Sequence, residues 1–476
     1  MAFELHHLSA QDQWDWLQRG DVTPVELAEH YLDRIERLNP ELGAFARVDG
    51  DRALDRARTA AELPRSLELW GLPLAEKELS RRAGEPATSG SRALAGVVAP
   101  ESDRIVQVLD AAGAVSLGAT AAPEFGFPSY TEPVGRPPAR NPYDTSRGPG
   151  GSSGGAAVAV AAGLLPFAPG SDGGGSVRIP AAATGLVGLK PSRGLVTAGG
   201  DSLAGLVVPG PLARSVADAA MLLDAMTARR GEGVDWITTL HPDDPGRLLG
   251  AAVRGEGRFV LGVTTDTPWQ YGYDVTLQPE AQAAFEFARD ELAALGHAIE
   301  EVSLPDGSAY PDAFRAVWQA GAGALALSNE QLDLVEPLTN WLVRQGRELS
   351  AAALASALAA LAAYERALIR ALFSREGAHV DAVLTPGLAQ TPRPIGWWDA
   401  EDGMRNFAQQ VTYTPYTSFV NVTGLPAITL PVQVTEDGLP MAAQLIGRPG
   451  GEATLVSIAR QLERRLSWQR RHPPQW

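Results

Sequence analysis

No cysteine occurs anywhere in the 476 residues, which excludes disulfides, thiolate metal sites and cysteine nucleophiles while leaving the redox compartment open. Lysine is almost as scarce. Of 40 basic residues only Lys77 and Lys190 are lysine, and 38 are arginine. A compositional bias that turns surface lysines into arginine accounts for most of these positions, and it makes the two survivors informative. An arginine stays protonated inside a protein whereas a buried lysine can lose its proton, so a lysine needed as a neutral base is one that arginine cannot replace. Positive charge is also lacking. A formal net charge of −16 argues against nucleic acid as a partner, because phosphate binding needs basic patches. No apolar run of about 18 residues is free of charges or breakers. The nearest, 350–373, is interrupted by Glu365, Arg366 and Arg370, so no membrane span is expected. The opening MAFELHHLSAQDQWDW has no basic segment leading into an apolar one, so no signal peptide is expected and a cytoplasmic protein is.

Glycine, by contrast, is abundant and unevenly placed. The stretch 149–180, PGGSSGGAAVAVAAGLLPFAPGSDGGGSVRIP, holds two Gly/Ser clusters, at 150–155 and 170–176, around a small-residue run suited to a short helix and a buried strand. Glycine at this density is tolerable where backbone adopts left-handed angles or another atom approaches closely. Each cluster delivers a serine, Ser152 and Ser176, 24 positions apart. The second cluster can present backbone N–H groups to a developing negative charge, with Ser176 attacking the carbon that bears it. Three other readings compete. A phosphate cradle lacks the Walker pattern and a GxGxxG opening a helix. A flexible linker has no reason to carry the core-like runs at 156–168 and 177–189. Tight backbone packing without chemistry stays open.

Helices are expected at 9–20, at 23–38 with a Thr23-x-x-Glu26 capping box and Asn39-Pro40 as its end, and at 51–62. They read as an outer layer. LWGLPLAEKELS suggests a strand entering the interior with Lys77 near its end, flanked by Glu76 and Glu78; a solvated charged turn is the alternative. TSGS at 88–91 is a turn, 102–112 a helix capped by Ser102, and AVSLGA a buried strand. Helix followed by strand, here and at 155–169, is the rhythm of an α/β sheet. Lys190, before a proline, is read as structural, held by nearby carbonyls. A helix capped by Ser215 is expected within 210–226, a surface excursion at 228–257, strands at 258–263, 297–304 and 380–386, a helix at 279–295, and nearly unbroken helix from 311 to 373. The loop PIGWWDAEDG, with Trp397 and Trp398, suggests a pocket wall or lid. Two strands and an amphipathic helix at 451–465 close the chain. With no internal repeat or low-complexity linker, one domain is expected.

The ordered series GLPLAEK, TSGS, PGGSSGG, GSDGGGSVRIPAAATGLVGLKPS, GPLARSVADAA, TGLPAITLP and LPMAAQLIG resembles the amidase signature family over nearly the whole chain. That resemblance implies an α/β fold, a single large domain with a mixed twisted sheet covered by helices on both faces. Within 1–476 it implies a signature core at 71–226, a variable pocket segment at about 228–410 and C-terminal strands and helix at 413–476. It makes Ser176 the nucleophile, Ser152 a bridging serine in a cis peptide and Lys77 the base. Gly173, Gly174, Gly175 and Ser176 would offer N–H groups to the oxyanion, and Ser171, Asp172 and Arg178 would support the loop. Lysine in water has a pKa of about 10.4, and desolvation can lower it by roughly 3 to 5 units, which fits a neutral base. Glu78 stands where the family usually has Asp, GATAAPEFGF replaces a GKTN-type segment, and Ser171 replaces a common threonine. Neither cofactor nor metal is implied. The expected reaction is cleavage of the C–N bond of a carboxamide or carbamate, with the glutaminase subunit of an aminoacyl-tRNA amidotransferase and a non-catalytic binding protein as alternatives. The partner is a small-molecule amide, a homodimer stays open, and Phe127, Tyr130, Trp318 and Trp398 suggest an apolar or aromatic pocket.

Overall fold

The computed structural model describes residues 4–197, 202–227 and 247–476. Its described strands are β1 Phe45–Val48, β2 Pro73–Lys77, β3 Val115–Thr120, β4 Phe167–Asp172, β5 Val187–Lys190, β6 Val208–Ala213, β7 Val260–Val263, β8 Ala298–Glu301, β9 Ala382–Pro386, β10 Ala427–Val434 and β11 Pro440–Gly447. Eight of them form a mixed sheet in the order β4-β6-β5-β10-β11-β9-β7-β8. It is antiparallel from β4 to β9 and parallel across β9, β7 and β8. The large mixed sheet agrees with the expected fold. A second, three-stranded sheet of order β1-β3-β2 stands beside it and carries Lys77.

The run that drew attention in the sequence forms the junction of the two sheets. Helix Gly154–Ala161, GGAAVAVA, has all eight residues buried and touches strands of both. Glycine and alanine make this approach feasible. A Cβ on Gly155 would collide with backbone atoms of Ala44 and Ala121, so a larger residue would push the small sheet away. β2 is buried along its whole length, which overrules a solvated turn around Lys77. Glu76 pairs with Arg82 and accepts from Ser116 Oγ at 2.6 Å, while Glu78 takes both Nη atoms of Arg136 at 2.9 and 2.8 Å. Buried carboxylates need such partners, because protein contacts must replace the water that a turn would have offered them.

A second apolar cluster gathers helices Tyr310–Gly323, Pro337–Glu348 and Ala351–Phe373 near Trp269. Ala351–Phe373 is long and apolar enough to cross a membrane by length and composition, yet it turns Ala357, Leu361, Tyr364, Leu368 and Leu372 into this cluster.

Several boundaries differ from expectation. Thr23 and Glu26 form the capping box, but the helix continues through Pro40 to Leu42, where Gly43 ends it with a left-handed φ of 59°. Near a helix C-terminus the proline disturbs little that follows. Asp103, not Ser102, is the N-cap of helix Arg104–Ala111, because Ser102 Oγ instead accepts from Ala83 N at 3.0 Å. The first residues of 210–226 belong to β6, and the helix begins at Val216 after Ser215. Within 228–257, residues 228–246 lie outside the described residues, and Arg247–Arg254 is a helix packed on Val216–Thr227 and Glu452–Leu466. β1 and helix Gly403–Tyr413 had no counterpart among the expected elements.

Candidate active site

Lys77 ends β2, and its whole side chain lies inside the protein at 2% exposure. Its Nζ is 2.8 Å from Ser152 Oγ, 3.1 Å from Ser171 Oγ and 3.4 Å from the Ser171 carbonyl. Burial pushes the lysine down to about 7, against the pull of the Asp172 and Glu78 carboxylates. Ser152 follows a cis peptide from Gly151. The Ser153 N–H donates to the Ser176 carbonyl at 3.1 Å, which ties the two serine loops together, and Lys77, Ser152, Ser171, Gly173 and Ser176 all line one cavity of about 360 Å³.

Behind the second loop Asp172 and Arg178 are fully buried and joined in a fork, Nη2 to Oδ1 at 2.9 Å and Nε to Oδ2 at 3.0 Å. Burial alone would raise the Asp172 carboxyl, but the Arg178 guanidinium overrides it and holds the group well below the usual carboxylate range. Asp172 also accepts from the N–H groups of Gly175 at 2.8 Å and Val177 at 3.1 Å. That bond corrects one expectation, because the Gly175 N–H is committed to Asp172 rather than to an oxyanion. Gly175 instead serves geometry, with a φ of 128° and no room for a Cβ beside Thr417.

Phe127 and Trp318 both line the cavity, with ring centroids 5.9 Å apart and nearly perpendicular. Both also line a second, smaller pocket of about 60 Å³ that shares Ser176. Tyr130 and Trp398 do not line either cavity. They stack on each other at 4.6 Å, the Tyr130 hydroxyl accepts from Asn406 Nδ2 at 2.8 Å, and Trp398 meets the Tyr413 ring edge-on. The tryptophan pair is therefore packing, not a pocket wall or lid, with Trp397 covered by the Arg393 guanidinium at 4.7 Å.

Residues 26–456 match the family described as Amidase. The chain belongs to the amidase signature family. The AmiB2 protein of Mycobacterium tuberculosis is 38% identical over 477 residues, covering 99% of this amidase and 98% of the relative. A glutamyl-tRNA(Gln) amidotransferase subunit from Aromatoleum aromaticum is 34% identical, covering 96% and 97%. A solved 6-aminohexanoate cyclic dimer hydrolase with its substrate superposes at a TM-score of 0.88 with 29% identity, covering 99% of this chain and 100% of the other. The protein is accordingly a hydrolase of amide C–N bonds that acts on small-molecule amides.

In this amidase the departures from the family pattern have local explanations. The longer Glu78 spans to Arg136 and to the Ala122 N–H at 2.9 Å, and Ser171 keeps a hydroxyl beside Lys77. Asn421 and Gln444 went unnoticed in the sequence. Asn421 donates to the Asp172 carbonyl and carboxylate and accepts from Arg178, while Gln444 accepts from Arg178 at 2.7 Å. The available signal was a lone amide in each of two apolar stretches, SFVNV and MAAQLI, since a buried amide needs a partner. Lys190 is fully buried with Nζ 2.9 Å from the Pro191 carbonyl, and burial together with Arg178 pushes it down to about 7. Glu4, His6 and His30 place ligand-type atoms within 4.8 Å of one another, a grouping too dispersed in sequence to read there. Arg34 stands 3.9 Å from Glu4, and burial, together with Arg34, lowers both histidines.

Proposed function

We propose that this amidase works through Ser176, Ser152 and Lys77 by way of an acyl-enzyme, on apolar, aryl or cyclic amides or carbamates. The observation that carries the reading is a buried amine, near neutrality at physiological pH, within hydrogen-bond reach of Ser152 Oγ. A free serine hydroxyl is a weak nucleophile until a base takes its proton. Neutral Lys77 accepts the Ser152 proton while Ser152 accepts that of Ser176, and Ser176 Oγ bonds to the carbonyl carbon. The carbonyl oxygen becomes an oxyanion facing the N–H groups of Gly173, Gly174 and Ser176, each such donor being worth about 2.7 to 4 kcal/mol. The C–N bond then breaks as the relay returns a proton to the amine. Water repeats the sequence on the acyl-serine.

The apolar cavity walls support an apolar substrate, and the similarity to a hydrolase of a cyclic dimer supports a cyclic amide. A second reading, a glutaminase subunit, draws on the amidotransferase relative. Glutaminase activity that appears only with a second subunit would favour it over turnover of hydrophobic amides by the isolated chain. The test of the main reading is labelling by a fluorophosphonate. Wild type is expected to label at Ser176 and the Ser176→Ala variant to lose the label; an unlabelled wild type overturns the mechanism.

A further inference from the structure

The two cavities meet at Ser176 but hold different parts of the relay. Lys77 and Ser152 line only the large one, with Gly173; Gly174 lines only the small one. This division gives the site a direction, resting on the reading of Ser176 as nucleophile and Ser152 as proton donor. When the C–N bond breaks, the departing nitrogen takes its proton from Ser152 Oγ. The nitrogen and whatever it carries therefore lie on the Ser152 side, in the cavity of about 360 Å³ walled by Phe125, Leu203, Leu206, Val207, Val317 and Leu325. The other substituent of the carbonyl carbon is left with the pocket of about 60 Å³.

That small pocket is not wholly apolar. Trp269, Phe314 and Ile179 line it together with Ser129, whose residue is 8% exposed and whose hydroxyl has no hydrogen-bond partner among the described residues. The neighbouring Gln410 is already engaged, accepting from the Ser129 N–H at 2.7 Å and donating to Asn406 at 2.7 Å. A buried hydroxyl left unmatched is a cost that a ligand atom can remove.

We propose that this amidase holds a bulky apolar amine in the large cavity and a short acyl group in the small pocket, where the Ser129 hydroxyl meets a polar atom on that acyl group. The preferred substrate class is then a short, polar acyl amide of a hydrophobic amine, not a primary amide of a bulky acid.

A reversed pair of amides tests the direction. N-(2-phenylethyl)acetamide is expected to show kcat/KM at least about tenfold above that of 3-phenylpropanamide, and N-(2-phenylethyl)-2-hydroxyacetamide to exceed both. Ser129→Ala should remove the advantage of the hydroxyacetyl over the acetyl compound. Gly321 lines the large cavity, and a Cβ there meets only Leu203 Cβ, at 3.9 Å. Gly321→Leu should consequently shift the ratio between the reversed amides about tenfold toward 3-phenylpropanamide. The inference is overturned, with Ser176 still labelled by fluorophosphonate, by the opposite preference, by no turnover of the short-acyl amides, or by variants that leave these ratios unmoved. Loss of labelling itself counts against the underlying mechanism instead.

Discussion

Burial strips water from the Lys77 ammonium, and the carboxylates nearest to it, Asp172 and Glu78, restore only part of that stabilisation, leaving the group near 7. As the proposed base, Lys77 must be neutral to work, so the active fraction is expected to fall as pH drops through about 7. The expected kcat/KM profile therefore loses about tenfold per pH unit below that point, and a profile flat down to pH 5 would remove Lys77 from the role of base. Lys77→Ala should lower kcat by about 10² to 10⁴-fold while circular dichroism shows an intact fold. Arg178 has the opposite character, because its charge is compensated and structural. Arg178→Met leaves Asp172 buried without its partner and should cost about 3 to 5 kcal/mol in urea unfolding. Lys77 was legible because lysine is so rare in this chain, and Ser152 and Ser176 because glycine crowds around them. Asn421 and Gln444 were not, since a lone amide in an apolar stretch signals burial but not the remote ion pair it satisfies.

Among the elements, the loop after β4 depends most on one backbone angle. Gly175 combines a φ of 128° with a Cβ direction that runs into Thr417, so Gly175→Ala should cost about 1 to 3 kcal/mol and reduce kcat with it, read by thermal unfolding alongside steady-state kinetics. Helix Pro24–Leu42 offers a contrast remote from chemistry. Thr23 Oγ1 accepts the Glu26 N–H at 3.2 Å, and Thr23→Ala is expected to cost about 1 kcal/mol with kcat unchanged. This N-terminus was readable because a capping box is a contiguous pattern. The C-terminus was misread at Pro40, where Gly43 beyond it provides the actual stop. β1 was missed for a related reason. Its four residues pair with β3 across some seventy positions of sequence, and so short a segment carries little alternation of its own.

At the scale of the whole molecule, the proposed mechanism makes activity depend on how closely the two sheets stand. Lys77 belongs to the three-stranded sheet and Ser171 to the eight-stranded one, with Ser152 just ahead of the helix between them, so the proposed relay spans their junction. Gly155→Ala should push against backbone at Ala44 and Ala121 and cost about 1 to 3 kcal/mol. It should also lower kcat at temperatures where the fold remains intact, because the Lys77 to Ser152 spacing widens with the junction. The residue types for an uncharged amine, two hydroxyls and a glycine loop were determined by the sequence itself, since each is a chemical property of a side chain or a backbone freedom local to its position. Tertiary structure alone decided that Gly175 gives its N–H to Asp172, that Tyr130 and Trp398 stack away from the substrate cavities, and that Ser176 stands between a large pocket and a small one. Those outcomes rest on which distant segments exclude water from one another, and a linear pattern does not encode that distance.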